Sequence, residues 1–321
     1  MQRVPSGVSP PPLLPALLYQ GSVNTWECDE GGHLNVRFHA ERAMTGLAHL
    51  ARHLVMPDAF AETGVATMLP VDLHVRFHNE ARPGEPLNMQ GAVIELGETD
   101  ATVCLDMRLS DGRPSSVFTL RVAHVVARDL RPFPWSSRTR AAAAVLTRPL
   151  PEHATPRSIN VLQAPAPGAT LARAQELGAI RIGASMVLPD QCDAFGRLRA
   201  EHVFGRASDS VPNLLAQWRR DLAAGASQAK SEAAGAVVEA RIHFRRWPRV
   251  GDLIEIYSGV VEAAGKTLRL THWFCDPESG AAWASMEVVA LTFDTVTRKA
   301  MAPSDAVLAA MQQRLVRGLT I

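Results

Sequence analysis

The chain reads as an α+β protein in which one unit, an antiparallel sheet around a single helix, is used twice. Three observations predict this. The first is a motif, Glu27-Cys28-Asp29-Glu30-Gly31-Gly32-His33-Leu34-Asn35, with an altered copy at Gln191-Cys192-Asp193-Ala194-Phe195-Gly196-Arg197-Leu198-Arg199. Both copies carry Cys-Asp, two residues, Gly, one residue, Leu. The second is that each motif runs straight into an apolar stripe at helical spacing. The third is that each stripe is followed by four strand-like runs. The offset between the copies grows slowly: Cys28 to Cys192 and Gly32 to Gly196 are displaced by 164, Phe77 to Phe244 and Gly84 to Gly251 by 167, and Gly112 to Gly280 by 168. A constant order of elements with small insertions is what an old internal duplication leaves behind.

Residues 1–17 are proline-rich at the start, and Pro15 interrupts their one apolar run, so a disordered leader is expected rather than a secretory signal. Tyr19 to Trp26 is a short strand candidate leading into the motif. Ala40, Ala43, Met44, Leu47, Leu50, Ala51 and Leu54 then fall at three- and four-residue steps, one stripe on a helix that Met56-Pro57-Asp58 ends. A run of nearly perfect alternation follows. Leu69, Val71, Leu73, Val75 and Phe77 point one way, and Met68, Asp72, His74, Arg76 and His78 the other. Arg82-Pro83-Gly84-Glu85 turns the chain into strands near 86–96, 101–110 and 116–127, separated by Gly97-Glu98 and Asp111-Gly112.

From Arg128 to Gly178 prolines, alanines, arginines and threonines dominate without a lasting period, which marks a linker with a short helix near Leu171–Leu177. The second half then replays the first. Ile180–Pro189 is strand-like; Phe204, Ala207, Ser208, Val211, Leu214, Leu215 and Trp218 make a helical stripe with Pro212 as a kink. Val238, Ala240, Ile242 and Phe244 alternate against Glu239, Arg241, His243 and Arg245, and strands follow near 252–263, 266–275 and 281–294. Ser304 caps a closing helix reaching about Val316. The resulting organisation is a leader (1–17), a first unit (18–130), a linker (131–178), a second unit (179–300) and a C-terminal helix (301–321).

Composition narrows the function. The 321 residues are 47% hydrophobic and 20% charged, a globular balance, and the formal net charge of +1 gives no global attraction to nucleic acid or anionic lipid. No apolar run is long enough to span a membrane. Four cysteines without zinc-finger or Cys-x-x-Cys spacing read as free thiols in a reducing compartment, and the cytoplasm is the expected location. No His/Cys/carboxylate cluster has metal spacing, no glycine-rich loop fits a nucleotide fold, and no Gly-x-Ser-x-Gly elbow occurs. Cys28 and Cys192 adjoin the aspartates but lack a basic arrangement that would make either a nucleophile, so packing explains them better.

The order of elements together with Asp29-Glu30-Gly31-Gly32-His33-Leu34-Asn35 resembles the hotdog-fold acyl-CoA thioesterases, particularly the 4-hydroxybenzoyl-CoA thioesterase type. In that group the loop before the central helix carries an Asp, two residues, a Gly, then often His and Asn. Val203-Phe204-Gly205-Arg206-Ala207-Ser208-Asp209 is similar to the helix start of such enzymes. The resemblance covers both repeats but neither the leader nor the linker. It implies two tandem hotdog domains joined as a covalent pseudo-dimer, with sites at the interface and room for further homo-oligomeric assembly. Fold alone does not give the chemistry, since hotdog scaffolds also carry dehydratases and non-catalytic acyl sensors.

The chemistry implied is thioester hydrolysis, with coenzyme A as part of the substrate and no other cofactor. Asp29 would act as general base on water or attack directly. Backbone N–H groups at the helix start would polarise the carbonyl, and His33 and Asn35 would orient the reacting groups. The bland alternative is that Asp29 caps a turn while His33 and Asn35 satisfy loop amides. Gly32 and Met44 are candidate substrate-binding positions, with Met44 and Leu47 lining an acyl tunnel between helix and sheet. The second copy keeps Asp193 but has Arg197 and Arg199 for His33 and Asn35. Either Asp193 works with other helpers or this half has become supporting; the arginines would hold coenzyme A phosphates or simply be solvated. Asp209 is a further carboxylate candidate, or a polar residue flanking the stripe. The basic rows His74, Arg76, His78, Arg82 and Arg241, His243, Arg245, Arg246, Arg249 would meet the nucleotide, or be the wet face of a strand. Two rivals stand beside the thioesterase. One is a hotdog hydratase or dehydratase, whose Asp-x-Asn-Pro-x-His loop is not found; the other is a non-catalytic acyl-CoA-binding protein.

Overall fold

The computed structural model describes residues 15–223, 233–294, 297, 299–302 and 305–321. The first unit comprises β1 (Ala16–Ser22), α1 (Val36–His53), β2 (Ala66–Phe77), β3 (Pro86–Leu96), β4 (Asp100–Leu109) and β5 (Pro114–Val126). The connecting segment carries α2 (Ser137–Leu146) and α3 (Leu171–Glu176). The second unit repeats the order with β6 (Ile180–Met186), α4 (Glu201–Ala223), β7 (Ala233–Phe244), β8 (Leu253–Ala264), β9 (Thr267–Cys275) and β10 (Ala282–Asp294), followed by β11 (Ala300–Met301) and α5 (Asp305–Gln312).

All pairings between strands are antiparallel, in the order β1-β3-β4-β5-β2-β7-β10-β9-β8-β6, with β11 on β10. The second half of that order mirrors the first, so the units meet through β2 and β7 and form one continuous sheet. Their register runs from Asp72 opposite His243 to Arg76 opposite Glu239. The helices α1 and α4 lie against each other on one face, completing the pseudo-dimer of two helix-wrapped sheets. No helix among the described residues is long and apolar enough to cross a membrane.

The helix α1 forms for local and tertiary reasons together. Asn35 holds an extended backbone, and its Oδ1 accepts from the Arg37 N–H at 2.9 Å, which caps the first turn. The predicted stripe then buries Ala40, Ala43, Leu47, Leu50, Ala51 and Leu54 completely, with Met44 half-buried beside them. Leu47→Ala is expected to cost about 2–5 kcal/mol, read from denaturant unfolding at constant m-value. In α4, Phe204, Ala207 and Leu214 take the matching core positions; the side chains of Leu215 and Trp218 lie outside the described residues. Pro212 sits within α4, which continues through it.

Three expectations change. The alternation of β2 is broken by a bulge between Pro70 and Asp72, so Met68 joins Leu73 and Val75 in the main core while Leu69 does not. An extra residue on one strand reverses the phase of a period-2 pattern. The strand before the motif begins at Ala16, with Ala16 and Leu18 buried, rather than at Tyr19. The segment 131–178 contains the expected helix at α3, but also α2, capped by Ser136 Oγ accepting from the Thr139 N–H at 3.1 Å. The Ser304 cap lies outside the described residues, and α5 ends at Gln312.

That segment also decides the fate of the two basic rows. Glu239 accepts from the Arg157 and Ser158 backbone N–H groups at 2.9 and 2.7 Å and pairs with His74 Nε2 at 2.8 Å. Arg241 forks onto Asp72 at 3.0 and 2.9 Å and donates to the Asn160 and Gln163 carbonyls. His243 adds a 3.2 Å contact to Asp72, and Arg76 donates to the carbonyls of His153 and Thr155. Asp72 and Glu239 are themselves displaced by 167, so each acid pairs with a base on the opposite strand. His74, Arg76, Arg241 and His243 are thus not a solvated face, whereas Arg82, Arg246 and Arg249 of the same rows are exposed. With Asp72 and Glu239, His74, Arg76, Arg241 and His243 clamp the linker over the seam between the units.

Candidate active site

The Asp29 loop is held by its own backbone. Gly32 has φ +72° and Gly196 has φ +75°, the left-handed region that glycine enters without strain. In each copy the glycine N–H donates to the preceding Asp carbonyl at 3.0 Å, which closes the turn. The following leucines are tied to the loops after β2 and β7, Leu34 N–H to Ala81 O and Leu198 N–H to Pro248 O, both at 2.8 Å. The loops are further anchored by a buried arginine that sequence reading missed. Arg42 donates to Glu27 Oε2, Ser22 O and Phe38 O, and Arg206 donates to Gln191 Oε1, Met186 O and His202 O. Every one of these positions is displaced by 164, so the signal was present in the repeat. Burial would push the Glu27 carboxyl up, but Arg42 and the Asn24 amide hold it below its ordinary value.

Asp29 and His33 come together as expected, with Nδ1 at 3.1 Å from Oδ2. Asp29 Oδ1 accepts from the Gly31 N–H at 2.9 Å. Burial acts to raise the Asp29 carboxyl, but the hydrogen bonds and charge of His33 and the Gly31 amide outweigh it and hold the group below the usual carboxylate value. Asp29 is therefore an ionised, partly accessible carboxylate at neutral pH. Behind it, Glu80 Oε1 stands 4.0 Å from His33 Nε2, a neighbour with no signature in the motif.

Asn35 has two roles. Besides capping α1, its Nδ2 donates to Ser208 Oγ at 3.2 Å, across to α4 of the other unit. The cap takes the Arg37 N–H, and the Asn35 carbonyl takes the Phe38 and His39 N–H groups. The face of α1 beside Asp29 is thus built from both halves of the chain.

The second copy is arranged differently. Arg197 is buried and forks onto Asp193, with Nε and Nη2 both 2.8 Å from Oδ2, while its Nη1 donates to Ala127 O. Asp193 Oδ1 accepts from the Phe195 and Arg197 backbone N–H groups. The Asp193 carboxylate is spent on its own loop, and Arg197 is turned inward. Arg199 is half-exposed, paired with Glu201 at 2.9 Å and bonded to Asp190 O and His202. Asp209 is exposed on α4 one residue past Ser208. Met44 is half-buried and Leu47 wholly buried against the sheet. Four free thiols are present; burial pushes Cys104 out of reach and Cys275 up to about 12, and Cys28 and Cys192 are also raised, so none is an activated nucleophile. Among the described residues no group of three or more His, Cys, Asp or Glu side chains could hold a metal ion.

The family model of the thioesterase-like superfamily matches the chain twice, over residues 23–143 and 187–311. The chain belongs to that superfamily. Each match begins just after the unit's first strand and spans one motif, its helix and the four strands that follow. Among solved structures, a putative oleoyl thioesterase from Lactobacillus plantarum is similar at 11% identity and TM-score 0.65, covering 86% of this chain and 96% of that one. The 12:0-ACP thioesterase from Umbellularia californica is similar at 11% identity and TM-score 0.63, covering 85% and 93%. An acyl-ACP thioesterase from Bacteroides thetaiotaomicron is similar at 10% identity and TM-score 0.58, covering 85% and 96%. At these identities the likeness is one of fold. No curated protein sequence matches the chain. Within this thioesterase-like fold, the two motif loops have the same backbone and different side-chain chemistry.

Proposed function

We propose that this thioesterase-like protein hydrolyses an acyl thioester at the Asp29 loop. The observation that supports it is the ionised Asp29 carboxylate held by His33 at 3.1 Å beside the capped start of α1. In one form of the reaction Asp29 takes a proton from water as the oxygen attacks the thioester carbon. The C–S bond then breaks, and the proton passes to the leaving thiolate, giving a carboxylic acid and a thiol. In the other form the carboxylate attacks the thioester carbon directly, the C–S bond breaks and the thiolate leaves. Water then opens the resulting anhydride, freeing Asp29 and the carboxylic acid, while a water proton passes to the thiolate. Asn35 and His33 orient the loop, and the positive end of α1 favours the oxyanion. The second loop has a structural role in this reading, because Arg197 already neutralises Asp193. Arg199 and Asp209, both accessible, are the remaining candidates for contact with the carrier. Coenzyme A is the proposed carrier, and the free thiols fit a reducing compartment such as the cytoplasm.

The test is hydrolysis of a panel of acyl-CoA thioesters, with acyl-carrier-protein thioesters in parallel because two of the similar structures are named for that substrate. Release of free thiol supports the reading. Acyl-CoA that raises the melting temperature without being cleaved would establish a binding protein instead. The pH profile gives a further prediction. An Asp29 carboxyl held below its ordinary value of 3.8 stays ionised from neutral pH down to that value, so kcat/KM should lose its Asp29-dependent part only as pH falls below about 4.

A further inference from the structure

The repeat runs on past the fifth strand of each unit. After β5 the chain forms α2 and returns to β3 of its own unit, where the Arg148 N–H donates to Val93 O at 2.9 Å. After β10 it forms α5 and returns to β8, where the Val316 N–H donates to Val260 O at 2.9 Å. Arg148 and Val316 are displaced by 168 and Val93 and Val260 by 167, so both segments make one contact at one strand position. The two family matches end at 143 and 311, which are also displaced by 168. The residues after α2 and those after α5 are therefore counterparts.

What the two segments cover is different. In the second unit the residues after α5 close over a cavity of about 190 Å³ between α4, β6 and β8. Leu214, Val260 and Val316 are its buried lining, Ile180 is half-buried, and Arg314 stands exposed at its mouth. Among the described residues that line it, Arg314 brings the single charge. In the first unit Leu146 holds the place of Arg314, by the same displacement of 168, and packs on the main core. Ala16, Leu50 and Val93, which match Ile180, Leu214 and Val260, are all buried there.

Protein interiors leave few voids larger than a water molecule, and an empty space walled by apolar side chains lowers stability in proportion to its volume. The space here exceeds the roughly 150 Å³ that accommodates benzene in an apolar cavity. A guanidinium presents its N–H donors in a planar fork that fits a carboxylate. Apolar walls with one such group at the opening are complementary to a carboxylate on a short hydrocarbon tail. The place is also separate from the Asp29 loop. β8 and β6 are the fourth and fifth strands from β2 in the sheet order, so the cavity lies on the order of 20 Å along the sheet from β2, in the unit that lacks Asp29.

We propose that this cavity binds a small monocarboxylate, with its hydrocarbon part among Leu214, Val260 and Val316 and its carboxylate on Arg314. The site goes beyond the Asp29 reading and depends on no chemistry there, although a carboxylic acid is what that reaction would release.

The probes are benzoate and hexanoate, titrated into the whole chain by calorimetry, with carbon-13 methyl spectra to locate them. One molecule of either probe should bind per chain and shift the Leu214, Val260 and Val316 methyls, leaving those of Leu50 and Val93 in place. Hexanol, which has no charge, and acetate, which has no tail, should each bind at least about 10-fold more weakly. Arg314→Leu gives the second unit the first unit's residue. It should weaken hexanoate by at least about 10-fold while the fold, and the hydrolytic rate without added carboxylate, stay as in wild type. No binding of either probe overturns the proposal, as does equal affinity in wild type and Arg314→Leu. Should Arg314→Leu not fold, Arg314→Gln must show the same loss, and unchanged affinity overturns the idea. Asp29→Asn should bind hexanoate as tightly as wild type; loss of binding there would place the probe in the hydrolytic site and overturn the assignment. If the wild type cleaves no thioester, the hydrolase reading fails, while the carboxylate titration still decides this site.

Discussion

Asp29→Asn is expected to lower kcat/KM for thioester hydrolysis by about 10²- to 10⁴-fold, with KM and melting temperature little affected. Asparagine can still accept from the Gly31 N–H, so the turn survives while the charge is lost. Asp193→Asn should behave in the opposite way. It removes one partner from a guanidinium that is buried at 3% side-chain exposure, so stability falls while the rate per folded molecule stays near wild type. Steady-state kinetics on both variants, with unfolding midpoints measured on the same preparations, separates the two cases. Activity lost only in Asp193→Asn would show that the reacting half has been misassigned.

The contrast between the loops shows how far one chain can be read from its letters. The duplication was legible because displacements of 164 to 168 preserve glycines and core positions. The left-handed φ at Gly32 and Gly196 explains why those letters persist. The helical stripe of α1 was legible because its period is set by burial against one sheet. The phase of β2 was not, since a single extra residue near Pro70 leaves no mark on composition. Asp29, His33 and Asn35 stand within seven positions of one another, so a local motif could bring them to notice. Glu80 reaches the same loop only through the fold of the chain beyond β2, and Ser208 only through the α1–α4 contact. His39 immediately precedes the apolar stripe of α1, and it is buried as a core residue would be. Only alignment of the two halves makes it stand out, because Val203 takes its place. His74, Arg76, Arg241 and His243 were misread for a similar reason: the segment that covers them has no periodic pattern, so nothing in it announces a cover.

That cover sets the other large expectation. Arg241→Met should destabilise the fold by about 3–5 kcal/mol, the cost of removing one partner from a buried ion pair. Asp72 would lose both hydrogen bonds of the fork, keeping His243 at 3.2 Å, and the Asn160 and Gln163 carbonyls would lose their donor. The pair lies where β2 meets β7, so the lost energy should appear as easier separation of the linker from the seam, with faster amide exchange at Arg157 and Ser158. Acid should act through the same groups. Burial tends to raise both carboxyls, yet His243 and Arg241 hold Asp72, and His74 with the Arg157 and Ser158 amides hold Glu239, below their ordinary values of 3.8 and 4.5. Groups with depressed folded values contribute stability that is fully present above the ordinary values and lost as pH falls through the depressed ones. Unfolding free energy should thus be level above about pH 5 and decline below pH 4.5, where the unfolded chain begins to bind the extra protons. In Asp72→Asn/Glu239→Gln that slope should become shallower, because neither group can titrate. A slope equal to wild type would mean that the acid sensitivity of the fold arises elsewhere.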